Sequence, residues 1–300
     1  MNCQRTFTWK QPVTRCLNRF IRFKRWLKGA NVSILGSFSR SSKKTILKTI
    51  HWFLNYLPPV EPKINLNSHL VVDATWFGRR YCFLVYWDAD LEYAQWWRYA
   101  TSENSEEIMQ DLISLKKANV VCSSITSDGG IGIRKAIEMI YPQIPHQRCI
   151  IHVQRLGLAL LTRNPKTQAG QELRALVKTI TQIENQQQRD VWVNQLLLWC
   201  NRWDGFLKER SYLKGTRKWW YTHKSLRRVR ALILNALPNL FYYLEDNTIP
   251  KNTNGLEGRF GMLKQHYRQH RGLSKSRREA YLAWYVSIII NHKKPTRFYH

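Results

Sequence analysis

Three carboxylates stand apart from the other acidic residues by their surroundings. Asp73 follows the apolar run Leu70-Val71-Val72, where a carboxylate is costly to bury unless it binds something. Asp128 precedes Gly129-Gly130, a pair that lets a backbone or a ligand come close. Glu257 lies in Asn252-Thr253-Asn254-Gly255-Leu256-Glu257-Gly258-Arg259, between glycines that each weaken a helix by about 1 kcal/mol. Close approach to a bound ion and a phosphate backbone would offset that cost. Hard oxygen ligands of this kind suit Mg²⁺ or Mn²⁺. Each carboxylate also has a plainer reading. A strand-end Asp in a turn is common, and a solvated Glu in a first helical turn is favoured by the helix dipole. Glu172, Glu184, Asp190 and Glu209 fall on the polar faces of expected helices, where solvation explains them.

The elements that must position these residues follow from periodicity. Leu70 to Trp76 and Tyr81 to Trp87 read as strands around the turn Gly78-Arg79-Arg80, and Ala94 to Tyr99 as a third. Ser105 to Lys117 reads as a helix, Val120 to Thr126 as a fourth strand ending at Asp128, Ile133 to Ile140 as a helix and Gln147 to Val153 as a fifth strand. The order β-β-β-α-β-α-β is that of a ribonuclease-H-like core, an α+β (α/β) fold with a mixed five-stranded sheet. In such a sheet the first and fourth strands are neighbours, which brings Asp73 and Asp128 to one edge. The block 155–245 shows helical spacing, with Leu173, Leu176, Val177 and Ile180, then Trp192, Leu196, Trp199 and Trp203, then Lys218 to Tyr243. It is expected to be an all-α insertion.

Upstream, Phe20 to Lys28 has helical spacing with Gly29 as its stop, Asn31 caps a short helix through Leu35, and Ser41/Ser42 opens a basic helix from Lys43 to Tyr56. This is the pattern of a helix-turn-helix, whose second helix would carry Lys43, Lys44 and Lys48 into a major groove. A small helical bundle has the same pattern. Leu57-Pro58-Pro59-Val60-Glu61-Pro62 cannot continue the helix. The expected organisation is therefore a helical domain over 16–57, a linker over 58–67, the sheet domain over 68–285 with its insertion at 155–245, and a basic tail over 286–300.

Charge narrows the class of partner. The 300 residues carry 48 Lys plus Arg against 20 Asp plus Glu, a net charge of +28. Residues 1–60 hold twelve basic and no acidic side chains, and residues 259–300 hold ten against one. Such a field attracts polyanions, with counterions released at each phosphate contact. A ribosomal or membrane-surface protein would share the charge, but 13 Trp and a 44% hydrophobic content supply the core of a larger folded machine acting on nucleic acid. The apolar run Val286 to Ile290 is too short for a bilayer, so no membrane is expected. Six Cys without a CxxC pair and no signal-peptide pattern fit a reducing cytoplasm, here with nucleoid association.

Four motifs together resemble one family: Val72-Asp73-Ala74-Thr75, Ser127-Asp128-Gly129-Gly130, Gln147-Arg148-Cys149-Ile150-Ile151-His152 and Thr253-Asn254-Gly255-Leu256-Glu257-Gly258. Over residues 68–285 the chain resembles the Mutator-type insertion-sequence transposases. The resemblance implies a DDE triad of Asp73, Asp128 and Glu257 holding two Mg²⁺ or Mn²⁺ ions, with the helical insertion before the Glu. Spacings of 55 and then 129 residues leave room for it. The activity implied is cleavage at the ends of an insertion sequence and joining of the 3′-hydroxyl ends to target DNA. The expected partners are DNA, as terminal inverted repeats and target, and further copies of the chain in a dimer or higher oligomer. The alternative is a truncated or repurposed copy that only binds DNA.

Cys149 and His152 match the family's CxxH motif. The pair could be half of a zinc site, but no second pair is suitably spaced. Read as a strand, it would turn Cys149 into the core and His152 elsewhere, which leaves His152 as a contact for DNA phosphate or as a satisfied core histidine. Arg155, Arg227, Arg228, Arg259, Lys264 and Arg271 are further expected DNA contacts. His266 and His270, spaced as a metal pair, are read with these cations as backbone contacts. Trp219 and Trp220, among Arg217, Lys218, His223 and Lys224, either stack on unpaired bases or form core of the helical block. Cys3-Gln4-Arg5-Thr6-Phe7-Thr8-Trp9 looks like the end of a zinc ribbon whose other cysteines are missing, and residues 1–15 are read as its remnant. By this reading the chain starts late or descends from a truncated copy.

Overall fold

The computed structural model describes residues 12–291. The expected ribbon remnant therefore lies almost entirely outside the described residues, as does the segment beyond Asn291. Three helices come first: α1 (Pro12–Leu27), α2 (Val32–Ser39) and α3 (Lys43–Leu54). Gly29 takes a left-handed φ of 89° at the end of α1, a conformation that costs glycine little. Asn31 Oδ1 accepts the Ser33 N–H at 2.8 Å, and Ser42 Oγ accepts the Thr45 N–H at 3.2 Å, which fixes the starts of α2 and α3.

The sheet comprises β1 (Asn65–Phe77), β2 (Tyr81–Asp88), β3 (Tyr93–Ala100), β4 (Val120–Ser127) and β5 (His146–Arg148), with α4 (Ser105–Lys117) and α5 (Ile131–Ile140) between them. The spatial order is β3-β2-β1-β4-β5. β2 and β3 are antiparallel to their neighbours, while β4 runs parallel to β1 and β5 parallel to β4. This mixed sheet with helices is consistent with a ribonuclease-H-like fold. Both of its faces are buried, which is why its strands read as nearly unbroken apolar runs. Leu70, Val72, Leu84 and Tyr86 pack under α4 and α5. Val71, Phe83, Val85 and Trp87 face the opposite way.

After β5 come α6 (Ile150–Leu160), α7 (Gln168–Thr179), α8 (Gln186–Arg202), α9 (Asp204–Leu207), the strands β6 (Arg210–Tyr212) and β7 (Trp219–Tyr221), and α10 (Lys224–Ala236). α6, α7, α8 and α10 enclose a core of their own around Leu173, Trp192, Leu196, Trp199 and Ile233. Two helices close the chain, α11 (Asn254–Tyr267) and α12 (Lys275–Tyr285), and α12 continues as a π-helical turn over Val286–Ile290.

Several expectations need correction. The insertion is not all-α, because β6 and β7 form an antiparallel hairpin within it. The expected strand from Gln147 to Val153 is a three-residue strand followed at once by α6, since β4 ends at Ser127, the partner of Arg148, and offers nothing further to pair with. Val286, Ile288 and Ile290 are buried, so the expected basic tail begins as core. The linker is pinned rather than free: Lys63 N–H donates to Gln95 Oε1 at 2.7 Å, Gln95 Nε2 donates back to Lys63 O at 3.1 Å, and β1 starts at Asn65. The N-terminal helices are not a separate unit either. Phe20, Phe23, Trp26 and Phe53 share one core with Val71, Phe83, Leu256, Tyr281 and Trp284.

Candidate active site

Asp73 and Asp128 meet because of strand register. Parallel β1 and β4 pair Val72 with Ser127, and each aspartate is the next residue. Adjacent strands lie about 4.8 Å apart, so the two carboxylates leave the sheet side by side. Asp73 is 8% exposed, and its Oδ1 accepts the N–H of Ala74 at 2.9 Å. Burial pushes its pKa up to about 7; the His152 charge opposes this, and the carboxylates of Asp128 and Glu257 add to it. Asp128 Oδ1 accepts the Gly130 N–H at 2.8 Å. The close approach that Gly129 permits is used by a side chain: with φ at 74°, a Cβ there would fall 1.9 Å from Nε of Arg148.

Glu257 reaches the aspartates on a segment stitched to the sheet. His69 Nε2 and Thr248 Oγ1 are 3.0 Å apart, Thr126 Oγ1 donates to Pro250 O at 2.7 Å, and Ile150 N–H donates to Lys251 O at 3.2 Å. Cys149 completes the seam. Its Sγ accepts the Thr253 N–H at 3.4 Å and the Thr253 hydroxyl at 3.6 Å. Thr253 occupies the cap position of α11. His152, one turn into α6, lies 3.4 Å through Nδ1 from Thr253 Oγ1 and 3.5 Å through Nε2 from Glu257 Oε1.

Cys149 and His152 thus sit on one side of a helix start, not on opposite faces of a strand. The hydrogen bond with Cys149 raises His152 to about 9 against the opposing effect of burial, with help from Asp73 and Glu257. Burial by itself would raise the Cys149 thiol, but hydrogen bonds from His152 and Thr253 outweigh it and the thiol falls below its ordinary value.

The donor set fits a divalent ion in its chemistry. Asp73 is held partly protonated by burial, and Glu257 Oε1 is buried without a hydrogen-bond partner. The set is not closed, however. Glu257 Oε2 accepts from Arg155 Nη1 at 2.7 Å, and among the described residues no three His, Cys, Asp or Glu side chains come together as a metal site. A cavity of about 360 Å³ opens beside Asp128, lined by Arg148, His152, Arg155, Leu156 and Leu232 among others. Its cations suit an anionic substrate.

Residues 99–203, from the end of β3 to the end of α8, match the sequence model described as "Transposase, Mutator family". Over that segment the chain resembles the Mutator-family transposases. A protein of Corynebacterium diphtheriae described as a "Probable transposase for insertion sequence element" is 22% identical over 197 residues, covering 63% of this chain and 54% of that protein. The chain thus spans about half the length of that relative. One solved structure, a simian T-cell lymphotropic virus intasome in complex with a PP2A regulatory subunit, aligns over 56% of this chain and 69% of its own at 16% identity. Its TM-score is 0.23, too low to bear on the fold.

Other expected contacts are spread over the surface. Lys43, Lys44 and Lys48 are exposed on α3, and Arg228 and Arg271 are exposed as well. Trp219 and Trp220 are 44% and 49% exposed on the hairpin, so they are not core of the helical block. Arg227 lies 3.5 Å over the Tyr221 ring and donates to Leu207 O, while Arg259 lies 4.0 Å over Trp87. Both are engaged within the fold. His266 and His270 are neither a metal pair nor free for a backbone: His266 Nδ1 is 2.7 Å from Tyr285 Oη, and His270 Nε2 is 2.6 Å from Trp26 O.

Two site residues escaped the sequence reading. Glu103, in the loop before α4, is raised by burial and by the Asp128 charge, and is hydrogen-bonded by Trp76. Nothing in its local pattern marks it. Arg148 stands inside a motif and next to a glycine pair, which was the available signal.

Proposed function

We propose that the chain is a DDE-type transposase that cleaves DNA at the ends of an insertion sequence and joins the 3′-hydroxyl ends to target DNA. The observation that carries this reading is the adjacency of Asp73 and Asp128 at the ends of neighbouring parallel strands, with Glu257 delivered to them from beyond an insertion of about a hundred residues. Asp73, Asp128 and Glu257 are the residues that would hold two Mg²⁺ or Mn²⁺ ions. Such ions, when bound, activate the attacking hydroxyl and neutralise charge on the leaving oxygen.

The chain's own groups bind and orient. Arg148 and Arg155 line the cavity beside Asp128 and would hold a phosphodiester there, since phosphoryl transfer depends mainly on positioning and charge. His152, cationic at neutral pH, adds a donor facing the same carboxylates. Thr253, gripped by Cys149, fixes where α11 starts and so where Glu257 lies. Arg155 holds Glu257 aside, and a phosphate that draws Arg155 away would release that carboxylate to the aspartates. DNA strands would run over the exposed cations of α3 and the aromatic hairpin.

The test is cleavage and strand transfer on oligonucleotides carrying the element's ends, with Mn²⁺. Asp73→Ala, Asp128→Ala and Glu257→Ala should each abolish both steps while the melting temperature holds or rises. Wild-type turnover by Glu257→Ala would show that another acid serves, with Glu103 the first to try. DNA binding without cleavage by the wild-type chain would favour the alternative of a copy that only binds.

A further inference from the structure

The cavity beside Asp128 has two chemically different ends. Its charged wall is Asp128 after β4, Arg148 at the end of β5, and His152 and Arg155 at the start of α6. The rest of the wall is aliphatic: Val153, Leu156 and Ala159 of α6, and Leu232 of α10. Leu156 is 50% exposed, a bare leucine at the mouth of a site that is otherwise ionic. No Phe, Tyr or Trp lines the cavity among the described residues.

Helix geometry sets how far the aliphatic end runs. His152, Leu156 and Ala159 are spaced four and three residues apart, which places them on one stripe of α6. From His152 to Ala159 that stripe rises about 10.5 Å at 1.5 Å per residue. Gly157 lets neighbouring helices close on α6: a Cβ there would lie 3.0 Å from Val177 Cγ1 and 3.8 Å from Val229 Cγ1. Val229 belongs to α10, and Leu232 is one turn farther along it. The two helices thus form an aliphatic slot that leads away from the carboxylates.

A phosphate held between Arg148 and Arg155 carries a sugar and a base within reach of this slot. The slot has no donor for a second phosphate, so the next charge of the strand cannot lie there. The apolar face of a base can. The volume, about 360 Å³, is at the low end of small-molecule sites, about 300–1,000 Å³, which suits one nucleotide and not a base pair. Inside a duplex a base is stacked on both faces and has none to offer Leu156, so it must leave the stack first.

We infer that this cavity holds one nucleotide flipped out of the duplex at the cut, with its phosphate at the Arg148–Arg155 end and its base between Leu156, Ala159 and Leu232. Aliphatic walls grip the faces of any base without reading its edge, so the slot selects an unpaired nucleotide and not a particular one. This rests on the proposed function, which supplies the DNA and the reacting phosphate.

The test uses the full chain in EDTA, so that binding is read without cleavage. The fluorescent base 2-aminopurine, dark when stacked, is placed on one side or the other of the cleaved phosphate in a duplex carrying the element's end, and deep inside the duplex as a control. Binding of the wild-type chain should brighten one of the two flanking probes and leave the internal probe dark, because aliphatic walls do not quench as aromatic rings do. A mismatch at the flipped position should tighten binding at least about tenfold, since an unpairing cost of a few kcal/mol is removed. Leu156→Asn, at an exposed position, and Leu232→Asn should each lose most of the brightening and of the mismatch preference. Flanking probes that stay dark on binding, or brightening unchanged in both variants, would overturn the cavity assignment. The proposed function, read separately as Mn²⁺-dependent cleavage, would still stand. No DNA binding by the wild type would overturn both.

Discussion

Asp73 is the residue at which fold and chemistry pull hardest against each other. Its carboxyl is almost fully buried and pushed up to about 7 by that burial, against 3.8 in the unfolded chain. A raised acid binds its proton more tightly in the native state. The native state therefore holds more protons than the unfolded one between pH 4 and 7, and stability falls as pH rises through that window. At about 1.4 kcal/mol per pH unit, the cost to the metal-free chain above pH 7 is at most about 4 kcal/mol. Asp73→Asn should thus raise the melting temperature markedly at pH 8 in EDTA and hardly at all at pH 4. Equal shifts at the two pH values would deny the residue that role.

The Arg155–Glu257 pair works in the other direction. Arg155 is 57% exposed, so Arg155→Ala should cost less than about 1 kcal/mol in thermal stability. Freed of its competitor, Glu257 should let Mn²⁺ bind more tightly, by up to about fivefold, in a calorimetric titration. Weaker Mn²⁺ binding would mean that Arg155 aligns the carboxylate instead of withholding it.

The hairpin shows what an element adds. Strand alternation turns Trp219 and Tyr221 to one face of β7 and Trp220 to the other. Arg210 lies 4.1 Å over the Trp219 ring, and Tyr221 meets it edge-on at 5.2 Å, so Trp219 braces the hairpin. Trp220, opposite Ser211, has no such partner among the described residues. Trp220→Ala should leave the unfolding free energy within about 0.5 kcal/mol of wild type, as surface substitutions do. It should slow cleavage of fully paired ends more than of pre-frayed ends. A loss of several kcal/mol in the melt would show the ring to be structural.

The sequence reading saw some elements and missed this one. Ser105–Lys117 was legible because Ile108, Leu112 and Leu115 repeat on one helical face. The nearness of Asp73 and Asp128 was legible because strand order alone decides it. The hairpin was not, since three-residue strands show no periodicity and Trp-Trp-Tyr reads equally well within a helix. Cys149-Ile150-Ile151 failed for the same reason: a short apolar run does not distinguish a strand from a buried helix start. Glu103 was hidden because its partners, Trp76 and Asp128, come from two other elements.

At the scale of the whole molecule, the ends of the chain are built into each other. Trp284 Nε1 donates to Phe53 O at 2.8 Å and to Tyr56 O at 2.9 Å, and Tyr281 Oη donates to Leu27 O at 2.8 Å. Phe23 stacks on Phe53 at 4.1 Å and meets Trp284 edge-on. Trp284→Ala should therefore cost about 3–5 kcal/mol, read as a single lowered transition in a thermal melt. Deleting residues 1–60 should unfold the chain, because α1 and α3 cover the aromatic side chains of α12, which belong to the core that reaches the sheet. A folded, cooperatively melting remnant after that deletion would show the sheet to be self-sufficient. No helix among the described residues is long and apolar enough to cross a membrane.

The seam between α1, α3 and α12 also sets a clock on synthesis. Phe23, Trp26 and Phe53 leave the ribosome more than 200 residues before Tyr281 and Trp284, which complete their packing. At about 5–20 residues per second, those aromatic surfaces wait on the order of ten to fifty seconds for their cover. A nascent chain in that interval shows the greasy face that chaperones and proteases recognise. A product ended early by a stop codon or frameshift never covers it. Only a chain translated through α12 buries that surface.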